Sequence, residues 1–414
     1  MNILYLNHYA GSPALGMEYR PYYLAREWVR QGHEVLMVAA SFSHVRARQP
    51  EPGRERIDGI DYLWIPTPEY HGNGLGRVKN IWAFCRQVWA KAGELAVQHR
   101  PDVVIASSTY PMDIWVARRI AKKAGAVLVF EVHDLWPLSP IELAGMSAHH
   151  PFALLCSWAE KTAYREADVV ISMLPKVHDY MASRGLDLKK LSVVPNGISP
   201  DDWAAEPAAL REDVAATLAV ARARGHVTVG YAGSMGLPNA LDTLLDAADL
   251  LRQQPITFVL VGDGHERERL MLRSAEAQLK RVHWLPPIPK NQIPSFLAAV
   301  DVAYIGWQRV PIYRFGIAPN KLMDYMMAAR PVLHAVEAGN DPVMESGCGL
   351  SVAPESAADV ADGLLLLAET PPDQRQRMGD KGQAFVRAHH TYPVLARRFL
   401  DACVRARTRR AKRG

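Results

Sequence analysis

Three features of the sequence predict an α/β protein built from two doubly wound domains. Short apolar runs alternate with segments of helical spacing along most of the chain. The alternation breaks once, near residues 199–225, and then resumes. The 414 residues favour two domains of ordinary size over one. Repeated strand–helix units imply a parallel sheet with helices on both faces.

Each element follows from local pattern. NILYLNH (2–8) is a short buried strand. Residues 19–31 (YRPYYLAREWVRQ) have helical spacing, and Gly32 with His33 ends them before the strand EVLMVAA. DVVIAS (102–107), VLVFEV (127–132) and DVVISML (168–174) are further apolar runs, each after a helical segment, and LSVVPNG (191–197) closes this half. Residues 199–225 are Ala-rich and charged, with Pro200 and Pro207, and read as a linker plus a helix. Strands then recur at VTVGYAG (227–233), ITFVLVGDG (256–264), VHWLP (282–286), DVAYIGW (301–307), PVLHAV (331–336) and GLSV (349–352). Helical segments at 238–253, 265–280, 291–299, 320–329 and 356–369 separate most of them. Two such domains place a ligand cleft at the carboxyl ends of their strands.

Composition excludes several classes. Cys85, Cys156, Cys348 and Cys403 form no CxxC pair, so neither a zinc site nor a disulfide framework is expected, and a reducing cytosol fits. Met1 runs straight into a strand-like stretch, which does not read as a secretory signal, and no apolar run is long enough to cross a bilayer. The net charge of +5 is concentrated at residues 404–414, where Arg405, Arg407, Arg409, Arg410, Lys412 and Arg413 meet no acid. The first strand–helix turn, GSPALG (11–16), has the wrong spacing for GxGxxG, and neither Walker A nor GxSxG occurs. Dehydrogenase and P-loop chemistry are therefore not expected.

Three strand–loop–helix junctions in the second half carry candidate chemistry. VGDG (261–264) and YAGSMG (231–236) offer Gly262, Gly264, Gly233 and Gly236, whose backbones can approach an anion at a helix start, or form ordinary tight turns. APNKLMDY (318–325) starts a helix near Asn320. Its orphan amides favour phosphate oxygens, and Lys321 adds a point charge. Asp324, one turn deeper on nearly the same face, can accept hydrogen bonds from a ribose diol; the alternative is a surface ion pair with Lys321. In the first half, EVHDLWPLSP (131–140) sets His133 and Asp134 at a strand end, a titratable pair at the expected ligand rim.

Taken together these stretches resemble the retaining glycosyltransferases of family 4, of GT-B fold, over nearly the whole chain. VPNGI (194–198), VGDG (261–264) and PNKLMDYMMAARPVL (319–333) carry the likeness, with LAREWVRQGHEV (24–35) beside them. EVHDLWP is similar to the branch that includes N-acetylfucosamine transferases of surface-polysaccharide assembly. The resemblance implies two Rossmann-like domains facing a central cleft: an acceptor-binding domain over 1–200 and a nucleotide-sugar domain over 201–390. Residues 391–414 would form a C-terminal helix returning to the first domain, with a basic tail. It implies that Asp324 stands at the second acid of E-x7-E and binds ribose. Asn320, Lys321, Gly233, Ser234, Gly262, Asp263 and Gly264 would hold the rest of the donor, with Lys321 at the diphosphate. Pro287 and Ile288 would meet the base through backbone groups, and Gly16 the donor phosphates or acceptor. His133 would sit beside the transferred sugar, with Asp134 orienting sugar or acceptor, and Glu18 and Arg20 would contact the acceptor.

Two departures stand out. Gly316 occupies the place of the first acid of E-x7-E, and the loop SMGLPNA (234–240) lacks the usual Arg and Lys. Lys321, Arg309 or Arg314 is expected to supply that charge, Lys321 first. No DxD-like pair suggests a metal site, so a metal-independent reaction is expected; the resemblance implies retention, with a UDP-sugar as co-substrate and no cofactor. The acceptor would be lipid-linked or a core oligosaccharide of lipopolysaccharide, O-antigen or capsule. Competing readings are a UDP-sugar 2-epimerase and a non-catalytic nucleotide-sugar-binding protein. Residues 77–91 (RVKNIWAFCRQVWAK) suit either a helix on an anionic membrane surface or one with core aromatics and solvated charges. A cytoplasmic protein, peripheral on the inner membrane, is the expected location. The Arg-rich tail suits an anionic lipid surface, with nucleic acid a lesser expectation.

Overall fold

The computed structural model describes residues 1–16, 19–72, 74–204, 206 and 208–412. Two compact units emerge, one of residues 1–196 with 392–414 and one of residues 197–391. The first crossing falls inside VPNGI.

The first unit is built on eight strands. These are β1 (Asn2–Leu6), β2 (Glu34–Ala40), β3 (Gly53–Ile57), β4 (Ile60–Ile65), β5 (Val103–Ala106), β6 (Val127–Val132), β7 (Val169–Ser172) and β8 (Leu191–Val193). Their order is β3-β4-β2-β1-β5-β6-β7-β8. All neighbouring pairs are parallel except the β3–β4 hairpin, which the apolar-run pattern did not anticipate. That hairpin turns on Asp58 and Gly59, both at positive φ (50° and 84°), the geometry an Asp-Gly turn supplies. β3 itself is exposed over most of its length, as an edge strand rich in charge.

Helices α1 (Tyr19–Arg30), α2 (Leu75–His99), α3 (Asp113–Ala124), α4 (Leu138–Ala144) and α5 (Pro151–Glu166) connect these strands. A further helix, Tyr392–Ala411, brings the chain end into this unit. Its Leu395, Phe399 and Cys403 are buried in one core with Tyr5, Trp28 and Ile105. Trp28 donates its indole N–H to Ala396 O (3.1 Å) and meets Phe399 edge-on at 5.1 Å, while Tyr23 stacks on Tyr392 at 4.8 Å.

The basic tail is correspondingly structured. The helix runs to Ala411, and Arg407 pairs with Asp102 at 3.2 Å. Arg410 reaches Asp168 at 3.3 Å and the carbonyl of Ala126. Asp102 and Asp168 immediately precede β5 and β7 and also cap backbone amides of Asn2 and Leu128. Arg407 and Arg410 are thus tied to their own unit; Arg413 lies outside the described residues.

The second unit has six parallel strands: β9 (Val227–Ala232), β10 (Ile256–Val261), β11 (Val282–Leu285), β12 (Val302–Gly306), β13 (Val332–Ala335) and β14 (Gly349–Val352). They run β11-β10-β9-β12-β13-β14. Alternation along β10 shows why both faces are covered: Ile256, Phe258 and Leu260 enter one core, Val259 and Val261 the other. The 199–225 stretch forms short helices at Asp201–Ala204 and Glu212–Ala223, while Pro207 lies outside the described residues.

Phe399→Ala is expected to destabilise the first unit by about 3–5 kcal/mol, because a buried aromatic is removed from a closed core. Urea unfolding followed by tryptophan fluorescence reads it.

Candidate functional site

In the second unit several of the candidate groups gather where β9 and β10 end. These strands are neighbours, so the loops leaving them lie against each other. Gly233 N donates to Val261 O (3.0 Å) and Met235 N to Asp263 O (2.8 Å). A Cβ on Gly262 would stand 1.9 Å from Gly233 O, and one on Gly264 2.3 Å from Met235 O. Both have positive φ, 150° and 158°. The glycines are therefore demanded first by backbone-to-backbone packing. Asp263 and Ser234 are exposed on these loops.

The helix Asn320–Met327 is pinned over this junction. Tyr325 Oη accepts from Ala232 N (2.9 Å) and donates to Ala232 O (3.2 Å). Four residues earlier on the same face, Lys321 reaches the loop that lacks Arg and Lys. Its Nζ donates to Tyr231 Oη (2.7 Å) and to Asn239 Oδ1, and lies 4.7 Å from the Tyr231 ring centroid. Gly233 leaves room for it: a Cβ there would press on Lys321 Cδ at 2.8 Å. Tyr231 in turn donates to Ser234 O. Among the described residues Lys321 makes no ion pair, and burial pulls its ammonium down to about 8. An unpaired, half-buried cation at a helix start is what an anion site requires.

Asp324 turns away from Lys321. Burial pushes its carboxyl up to about 6, against the pull of Lys290 and a hydrogen bond from Trp203. Lys290 itself pairs with Asp202 at 2.7 Å. The surface ion pair between Lys321 and Asp324 is therefore not made. Asn320 is exposed at the first turn. The carbonyls of Pro286 and Pro287 accept from Arg211, and Ile288 leans on the core beside them. Gly316 closes a 3-10 turn at φ 101°, so the place of the missing acid is a positive-φ position that favours glycine. Arg309 pairs with Glu337 at 3.3 Å and Arg314 bonds Pro311 O, away from Lys321's partners.

In the first unit the central group is one that the sequence reading passed over. Glu131, on β6, is buried. Its Oε1 accepts from Arg20 Nε (3.0 Å) and Nη2 (2.9 Å); its Oε2 accepts from Tyr5 and Ser107, both at 2.6 Å. Burial raises its pKa, but Arg20, His133 and Ser107 outweigh that and hold the carboxyl well below the usual range. With the Ser107 proton given to Glu131, His133 Nε2 donates to Ser107 Oγ (2.8 Å), which fixes the ring's orientation.

Arg20 is thus not presented to an acceptor. It is buried, and its remaining donors go to the carbonyls of Val194 and Pro195. Asp134 is exposed beside His133, and the following Trp136–Pro137 peptide is cis. Gly16, at φ 106°, lets its backbone approach Ala47, where a Cβ would be 2.8 Å from the amide nitrogen. Glu18 lies outside the described residues. Asp113, at the start of α3, also escaped notice: it accepts from Ser108 N (2.8 Å), and burial pushes its carboxyl up to about 7.

Comparison with known proteins adds the following. Residues 16–197 match the family model described as a glycosyl transferase 4-like domain, and residues 226–370 the one described as glycosyl transferases group 1. The chain is 21% identical to a probable glycosyltransferase, WbjE, of Pseudomonas aeruginosa over 80% of each chain. It is 22% identical to WcaI of Escherichia coli K12, a putative colanic acid biosynthesis glycosyl transferase, over 82% of this chain and 85% of the relative. Among solved structures it resembles Anabaena HepE in complex with UDP-glucose, at 17% identity and a TM-score of 0.65, over 96% and 98% of the two chains.

Glu131→Gln is expected to cost the first unit about 3–5 kcal/mol at neutral pH, since Arg20 loses its charged partner. A carboxyl held below its ordinary value stabilises fully above about pH 4.5 and less as pH falls. The deficit of Glu131→Gln, read by urea melts at several pH values, should therefore shrink with acid.

Proposed function

This chain belongs to the group 1, family-4-like glycosyltransferases of two-domain α/β GT-B fold, and on that premise we propose that it transfers a sugar from a UDP-sugar. The acceptor in this reading is lipid-linked or a core oligosaccharide, in assembly of lipopolysaccharide, O-antigen or capsule. The sugar is an N-acetylated hexosamine or deoxyhexosamine, transferred with retention. The enzyme works in the cytoplasm, at the inner face of the inner membrane. Support for surface polysaccharide comes from WcaI, and for UDP from HepE.

One observation carries the donor assignment: the Lys321 ammonium, half-buried without an ion pair among the described residues, at a helix start over two packed glycine loops. A diphosphate there regains for Lys321 the counter-charge it lacks. When the bond from the sugar's anomeric carbon to the diphosphate breaks, negative charge grows on the leaving oxygen. Lys321 and the amides of the 320–327 helix stabilise that charge more than the ground state. The acceptor hydroxyl attacks the same face of the sugar, and its proton passes to the departing phosphate. Asp324 accepts from the ribose hydroxyls. In the first unit, His133, its ring set by Ser107 and Glu131, orients the sugar.

The reaction is proposed to need no metal: Lys321 supplies positive charge for the leaving group. Chelator should leave the rate unchanged. Lys321→Ala should lower turnover roughly a hundredfold. Product analysis separates transfer from epimerisation: an epimerised donor, or binding without turnover, overturns the assignment.

The two shifted groups also set a pH window. A diol stabilises Asp324 only as carboxylate, so UDP-glucose affinity should fall as pH drops through about 6. A diphosphate stabilises Lys321 only as ammonium, so affinity should fall again as pH rises through about 8. Calorimetric titration should show the acid limb lost in Asp324→Asn and the alkaline limb lost in Lys321→Arg.

A further inference from the structure

Helices α2, α3 and α5 cover one side of the first unit's sheet and leave a groove of about 710 Å³ between them. That volume falls within the roughly 300–1,000 Å³ of small-molecule sites. Its walls are apolar and aromatic. Trp115 and Trp158 meet at 4.7 Å, and Trp82 and Trp89 line the α2 side. Trp82 and Trp158 are 63% and 62% exposed, and Leu154 beside the groove is 54% exposed. So much outward aromatic surface is unusual on a protein that faces only water. On α2 the division is sharp: Ile81, Phe84 and Val88 are buried, while both tryptophans face out.

Charge selects the occupant. Arg86, Arg118 and Arg165 line the groove, and among the described residues no acidic one does. Arg86 stacks on Trp82 at 5.1 Å and Arg119 on Trp89 at 4.6 Å. Glu166, at the rim, is shared by Arg118 and Arg165 and balances only part of this charge. A second copy of the chain, docked face to face, would oppose these arginines to themselves. No helix of the described residues is long and apolar enough to cross a membrane.

We propose that this groove takes a hydrocarbon chain of an anionic bilayer phospholipid, with Arg86 and Arg165 on its phosphate and the Trp115–Trp158 pair packed along the chain. This goes beyond the transferase reading and does not rest on it. It assigns the membrane contact to a built groove, not to the arginine-rich chain end.

The test uses the full-length protein and vesicles of phosphatidylcholine, with and without phosphatidylglycerol. Sedimentation should show binding only when phosphatidylglycerol is present. Arg86→Ala with Arg165→Ala should weaken it roughly thirtyfold. Phosphatidylglycerol brominated deep in its acyl chains should quench tryptophan fluorescence in the wild type, and much less in Trp158→Phe, an exposed position where folding is retained. Binding without acyl-chain quenching would mean surface charge alone and overturn the groove. Absence of vesicle binding, or dimerisation that depends on Trp158 in its place, would overturn it too. No arm contains a donor nucleotide, so failure of the transferase reading leaves these outcomes unchanged.

Discussion

The first unit depends on a single buried carboxylate. Glu131 is buried on an interior strand of an eight-stranded sheet, where an ionised group survives only if every lone pair is used. Tyr5 from β1, Ser107 from the end of β5 and Arg20 from α1 all converge on it. Arg20 then spends its other donors on Val194 and Pro195, the last turn of chain before the second unit begins. One charge therefore ties together the sheet centre, the first helix and the exit of the chain. His133 inherits its orientation from the same network, so its ring is set by a structural ion pair beneath it.

The second unit uses the opposite economy. Its glycine loops bring backbone against backbone so closely that side chains are excluded, and the space opened at Gly233 receives the stem of Lys321. The ammonium is steadied by neutral oxygens and an aromatic face, none of which cancels its charge. Burial of an uncompensated cation is costly, and the depressed affinity of Lys321 for its proton records that cost. Such a residue gains stability whenever an anion arrives.

Much of this could be read from the sequence, because parallel strands buried on both faces appear as continuous apolar runs. The hairpin of β3 and β4 could not be seen that way: its edge strand is charged, and only Asp58-Gly59 marked it. The helix start at Asn320 was visible from its proline and its apolar face. The separation of Lys321 from Asp324 was not, since it depends on Tyr325 anchoring the helix to Ala232 across 93 residues of chain. Arg20 and Glu131 were equally hidden. Nothing near position 20 indicates a carboxylate 111 residues away. The aromatic–basic pattern of residues 77–91 was evident, but the groove needs α3 and α5, whose approach no local pattern encodes.

The returning helix has a consequence for biosynthesis. Tyr392, Leu395, Phe399 and Cys403 belong to the core of the first unit, yet they are translated only after the whole of the second unit. Residues 1–196 emerge from the ribosome well before the segment that closes their core, and residues 197–391 follow with a complete sheet and both of its cores. The usual order of N-terminal domain first is thereby inverted. The early half waits with Trp28 and Tyr23 uncovered until residues 392–411 emerge, and a nascent chain stalled short of that helix exposes the surface that chaperones recognise.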